Sequence, residues 1–171
     1  MLTETVILVV VFGLMLVEAR RAHANEASQR ERGGIEPGSD VYRVMRVAYP
    51  AAFLAMIVES VARGGPSRPL LVAGAGLFAA AKALKWWAIR TLGTFWTFRV
   101  IVVPGTSPVM TGPYRYLRHP NYLAVVGELI GVALMTGALL TGLVAVAGFG
   151  LLIIKRIGVE ERALDAILRR N

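Results

Sequence analysis

From Leu129 to Ile154 the chain runs without a single charged residue. A stretch of that kind has no place in a water-soluble domain, whereas a helix crossing hydrocarbon needs about 20 apolar residues. The middle of the run, "TGALLTG", interrupts it. Gly137 and Gly142 there predict a tight turn and therefore a helical hairpin of segments 122–135 and 140–154. Three further apolar runs lie upstream, at 2–17, 47–62 and 69–84. The expected fold is all-α: a polytopic membrane protein of one domain, 1–171, with about five transmembrane helices ending in that hairpin. Most runs are short for a span, so their flanks must snorkel or the bundle must sit in a locally thin bilayer. A mean hydropathy of +0.59 agrees with this reading.

The charges set an orientation. Lys and Arg outnumber Asp and Glu by 19 to 11, but the excess is divided among short segments between apolar runs. That distribution points to membrane topology and anionic lipid headgroups, and no nucleic-acid partner is expected. With five crossings and the N-terminus outside, seventeen of the 19 cations fall on the cytoplasmic side, among them Arg20, Arg21, Lys82, Lys85, Arg169 and Arg170; only Arg63 and Arg68 fall outside. Glu4 stands where a secretion signal would carry basic residues, so the first run reads as a retained span. With no cysteine, thiol nucleophiles and iron–sulfur clusters are excluded, and with only His23 and His119 a metal site is not expected.

Between the third and fourth spans the composition changes. "KWWAIRTLGTFWTF" has the aromatic and cationic makeup of an interfacial helix, and "RVIVVPGTSPVM" reads as a short β-hairpin about a Pro-Gly turn. The first loop, after Val17, reads as a helix extension followed by a turn.

Two clusters carry chemistry. In "GPYRYLRHPNYLAVVGE", Pro120 suits the first turn of a helix, which places Arg118, His119 and Asn121 near its N-terminus. Helix N-termini and an Arg fork both favour a carboxylate or similar anion. Tyr and Arg also anchor proteins at interfaces, but anchoring does not require His-Pro-Asn-Tyr in order. In "KRIGVEERAL", Arg156 and Glu160 are i,i+4 partners with Glu161 beside them. Taken alone, this is a solvated last helix. If the hairpin returns the chain to the same face, the carboxylates meet the Arg118–His119 cluster. Together they suit a ligand bearing a cis-diol, a positive centre and a carboxylate, as S-adenosyl-L-methionine does.

"GPYRYLRHPNYL" followed by a hairpin and "RIGVEERAL", with "LGTFWTFRVIVVPGTSPVMTGPY" upstream, resembles the isoprenylcysteine carboxyl methyltransferase family of integral membrane methyltransferases. The resemblance covers about the last half of the chain. It implies a cytoplasmic pocket for the methyl donor closed by Tyr114, Arg118, His119, Pro120, Tyr122, Glu160 and Glu161, with Arg156 near the acceptor. It further implies a lipophilic acceptor arriving from the bilayer. Catalytic roles fall to Arg118, His119 and Arg156. Glu128, an ionisable residue inside a span, is a candidate for the acceptor pocket together with Arg118, and Glu59 in the second span is a weaker one. Ala124 stands where the family often has Gly. The loop "NEASQRERGGIEPGSDVYRVM" resembles a bacterial branch that O-methylates alkylpyrones or alkylresorcinols.

Other readings stay open: a phospholipid amine N-methyltransferase, an NADPH-dependent sterol-reductase-like enzyme, which shares Arg-His-Pro-Asn-Tyr but not the closing Glu160-Glu161 pair, and a non-enzymatic membrane scaffold. No protein partner is expected. The topology is directly testable. A reporter fused after Asn171 should read as cytoplasmic and one inserted at Gly64-Gly65 as external; a cytoplasmic signal from the second would overturn the orientation.

Overall fold

The computed structural model describes residues 2–38 and 40–168. The chain forms α1 (Leu2–Glu31), α2 (Tyr42–Arg63), α3 (Arg68–Leu92), α4 (Pro120–Thr136) and α5 (Leu139–Leu168), with 3-10 turns at Gly93–Phe95 and Gly112–Arg115. Among the described residues no strand forms. Four helices, all but α4, are long and apolar enough to cross a membrane. The 17 residues of α4 reach only about 25 Å. As expected, α1 continues past its apolar run and ends in a turn at Gly33.

The hairpin is present, with one change of role. Gly137, at φ +65°, caps α4 in the left-handed conformation, and the Ala138 N–H donates to the Ala133 carbonyl at 3.0 Å. Gly142 is not in the turn. It lies inside α5, where a Cβ would stand 2.5 Å from that of Ala133, so it serves close helix approach. The start of α5 is capped from elsewhere in the chain. Glu59 of α2 accepts from the Thr141 N–H at 2.8 Å and the Thr141 hydroxyl at 2.6 Å, and pairs with Arg63 at 2.9 Å.

The tightest packing is between α3 and α4. A Cβ on Gly74 would meet the Met135 backbone nitrogen at 2.5 Å, and one on Gly131 would meet that of Phe78 at 2.9 Å. Small residues let the two backbones touch, which is how helices gain contact area where lipid removes the hydrophobic drive. Around this pair the core gathers Phe53, Met56, Leu129 and Val132, all fully buried.

Three expectations are corrected. Trp86 and Trp87 continue α3 rather than opening a separate interfacial helix, and Trp96 is buried at 2% exposure, donating to the Asn121 Oδ1 at 3.2 Å. The Arg99–Met110 segment makes no hairpin. Its Val102 pairs instead with Ile35 in an isolated antiparallel bridge, while Val100 and Val102 pack on Val159 of α5, so their β-branched side chains find partners outside the segment. Lys82 and Lys85, counted with the cations of the cytoplasmic side, are instead buried within α3. The tail cations Arg169 and Arg170 lie outside the described residues.

The α3–α4 contact yields a stability test. Gly131→Ala should lower unfolding stability in detergent by about 1–3 kcal/mol through overpacking. Gly76→Ala, which meets nothing within 4 Å, should be neutral or slightly stabilising.

Candidate functional site

Pro120 opens α4 at its first position, as its fixed φ and missing N–H dictate. The 3-10 turn at Gly112–Arg115 and the irregular residues after it bring Tyr114 and His119 to the end of α5. His119 Nε2 lies 3.6 Å from Glu161 Oε1, and its Nδ1 lies 4.0 Å from Glu160 Oε2. That Nε2 is buried and has no hydrogen-bond partner among the described residues. Arg118 reaches Glu161 at 3.6 Å from a side chain that is 87% exposed, so it stands at the rim. Burial, then the charge of Glu160, pushes the Tyr114 phenol well above its usual range and keeps it a neutral donor. The structure thus brings together Tyr114, Arg118, His119, Tyr122, Glu160 and Glu161.

Arg156 behaves differently from the reading of it as a helix-face partner of Glu160. Its side chain is only 6% exposed. It donates from Nε to the Tyr122 hydroxyl at 2.9 Å, from Nη1 to Asp40 Oδ1 at 3.0 Å, and from Nη2 to the Phe98 carbonyl. Glu160 is held instead by the Tyr122 hydroxyl, which donates to its Oε2 at 2.8 Å. A buried guanidinium requires a counter-charge and satisfied N–H groups, and Asp40 supplies the first. Asp40 also accepts from the Val100 and Tyr42 N–H groups at 3.1 and 3.0 Å, tying two loops to α5.

Two cavities meet at this knot. One, of about 550 Å³, is lined by Tyr114, Arg118, His119, Glu160 and Glu161 and by the segment after α3. The other, of about 440 Å³, runs among the helices and is walled mainly by apolar and aromatic side chains such as Met15, Met45, Tyr49, Val125 and Phe149. Thr97, Asn121, Tyr122 and Arg156 line both. A molecule in each would meet across these four side chains.

Glu128 does not line either cavity. It sits 1% exposed behind the inner one, in a cluster of four charges. Lys82 Nζ lies 2.7 Å from Glu18 and 3.0 Å from Glu128; Lys85 Nζ lies 2.7 Å from Glu18 and 3.2 Å from Glu128. The Tyr49 hydroxyl donates to Glu128 at 2.6 Å. Sequence reasoning missed Asp40, Glu18, Lys82 and Lys85 as parts of this region. The available signal was Lys82 and Lys85 three residues apart in an otherwise apolar helix, since a buried Glu128 demands a partner.

A model of the isoprenylcysteine carboxyl methyltransferase (ICMT) family matches residues 74–166. The chain is 28% identical over 144 residues to "Uncharacterized protein YpbQ" of Bacillus subtilis (strain 168), covering 84% of this chain and 86% of that protein. It is 27% identical over 141 residues to an "Uncharacterized protein" of Haemophilus influenzae Rd, covering 82% of each. No solved structure matches.

The Arg156–Asp40 pair gives a test of the knot. Asp40→Ala leaves a buried guanidinium uncompensated and should cost about 3–5 kcal/mol of unfolding free energy. Asp40→Ala combined with Arg156→Leu should recover much of that loss. Equal losses for the single and double variants would show that the pairing is not what matters.

Proposed function

The chain belongs to the isoprenylcysteine carboxyl methyltransferase family, and on that premise we propose that it methylates an oxygen of a lipophilic acceptor with S-adenosylmethionine as donor. The family is one of membrane methyltransferases, and four membrane-length helices agree with it. The observation that carries the reading is the wall shared by the two cavities. The outer cavity suits the donor and the inner one an acceptor drawn from the bilayer, with Tyr122, Asn121, Thr97 and Arg156 at the junction.

The charges of the outer cavity fit this donor. Each arginine on its wall already faces a carboxylate: Arg99 with Glu36, Arg118 with Glu161, Arg156 with Asp40. Among the described residues only Arg118, exposed and 3.6 Å from Glu161, can turn toward an anion there, which suits one carboxylate better than the phosphates of a dinucleotide and weighs against an NADPH-dependent reductase. Among the described residues Glu160 has no arginine partner, only Tyr122 and His119. A carboxylate so placed suits ribose hydroxyls or a cationic centre, and the orphaned His119 Nε2 is free to bond the same ligand.

When bound, S-adenosylmethionine supplies a methyl group on a sulfonium, open to in-line displacement. Glu160, Glu161, His119 and Tyr114 hold and orient the donor side, and Arg118 closes the rim toward a carboxylate. Arg156, fixed by Asp40, places positive charge at the junction, where the attacking oxygen must lie. Arg46 lines the inner cavity without a carboxylate at ion-pair distance among the described residues. Both cations favour an anionic oxygen, a carboxylate or an acidic enol or phenol, over a lipid amine. An acceptor already ionised needs no strong base, so rate enhancement rests on alignment and exclusion of water. For a less acidic phenol, His119 takes the proton. Prenylcysteine-like and long-chain alkylpyrone or alkylresorcinol compounds both meet this description. The basic excess of the loops at this end supports a site at the cytoplasmic face, with the N-terminus outside.

Titration calorimetry with S-adenosylhomocysteine tests the donor assignment. Purified protein should bind it, and Glu160→Gln and Glu161→Gln should each weaken binding on the order of ten- to a hundredfold, since a hydrogen bond to a charged group is worth about 1.5–3 kcal/mol. Absence of binding by the parent protein would end this reading. Unchanged affinity in both variants would reduce the pair to a solvated helix face.

A further inference from the structure

The four-charge cluster deserves a function beyond holding helices together, because one side of it forms part of the inner cavity's wall. Glu18, Lys85 and Tyr49 line that cavity, while Lys82 and Glu128 do not. The cluster is neutral, two carboxylates against two ammonium groups. Bond counting shows what remains available. An ammonium group has three donors. Lys85 faces Glu18 Oε2 at 2.7 Å and both oxygens of Glu128, at 3.2 and 3.4 Å; one N–H serves the two oxygens of that single carboxylate, and one donor is retained. Each Glu18 oxygen accepts from one lysine, at 2.7 Å in both cases, and retains a lone-pair site. The cavity wall therefore offers a donor and an acceptor side by side with no net charge.

We propose that Lys85 and Glu18 form a subsite for a neutral hydroxyl group on the acceptor, separate from the oxygen that is methylated. A hydroxyl both donates and accepts, so it satisfies both partners at once. A phosphate or ammonium would arrive at a balanced cluster without counter-charge. Bare hydrocarbon would desolvate the charges and return nothing. The subsite lies deeper than the shared wall. Lys85 contacts Glu128, six residues after Tyr122 along α4, a rise of roughly 9 Å. The acceptor is thus a lipid with two separated oxygen functions, one at the junction and a hydroxyl further along its length.

This inference rests on the proposed function for what sits at the junction, but its binding prediction does not require methyl transfer. The experiment uses purified full-length protein in nanodiscs of neutral lipid. Displacement of a fluorescent fatty acid is measured with a long-chain fatty acid and with isomers that carry one hydroxyl at successive chain positions. One mid-chain isomer should displace the probe at least about tenfold more strongly than the unsubstituted acid. Lys85→Met should bring that ratio close to one. Lys82→Met removes the same charge from the same cluster but does not touch the cavity, and should keep the ratio. Because each ratio compares two ligands on one preparation, partial unfolding cancels. A ratio near one for every isomer on the parent protein overturns the subsite, and so does equal loss in the two lysine variants, which marks the cluster as purely structural. S-adenosylhomocysteine titration of the same samples reports the donor site separately. If it fails while the hydroxyl preference persists, the subsite stands and the methyltransferase reading falls.

Discussion

A guanidinium with almost no contact with solvent organises the functional end of this molecule. Arg156, on α5, must be neutralised and its N–H groups must be bonded, and the chain meets both demands with groups from three places: Asp40 before α2, the Phe98 carbonyl after α3 and the Tyr122 hydroxyl in α4. Each bond is local, yet their sum fixes the positions of two irregular segments that have little core of their own. The cavity wall exists because these segments are held. Arg156 is therefore a structural clamp and, in the proposed reaction, a source of positive charge, and the two roles use the same geometry.

A second set of buried charges works deeper in the bundle. Glu18, Lys82, Lys85 and Glu128 link α1 to the α3–α4 pair, where glycine and alanine already bring two backbones into contact. Breaking one member leaves an uncompensated charge in apolar surroundings, so the cluster holds register strongly even though its net contribution to stability is small. α1 otherwise approaches the other helices loosely.

What was legible in the sequence was whatever depends on neighbours in the chain. The apolar runs, the Gly137 turn, the helix start at Pro120 and the continuation of α1 past Val17 all follow from local pattern. The convergence of His119 with Glu160 and Glu161 was legible through the hairpin, which returns the chain to where it left. Pairings across the fold were not. Lys82 and Lys85 near the end of an apolar run look like loop cations until Glu18 and Glu128 are seen opposite them. Arg156 and Glu160 have helix-pair spacing, but Asp40, more than a hundred residues away, competes successfully for the arginine. The β-branched run at Val100–Val103 misled for the same reason. It has strand propensity, and α5 offers it burial without a partner strand.

The cap that Glu59 places on α5 has a mechanical consequence. A helix fastened at its first turn behaves as a measuring rod, because hydrogen-bonded turns barely stretch. Thr141, bonded to Glu59, and Glu160, at the other end, are separated by 19 residues, an axial length of roughly 29 Å. The depth of the two carboxylates is thus gauged from the opposite end of α5 as well as from the bonds of Arg156 beside them. Whatever shifts α2 along the membrane normal carries Glu160 and Glu161 with it.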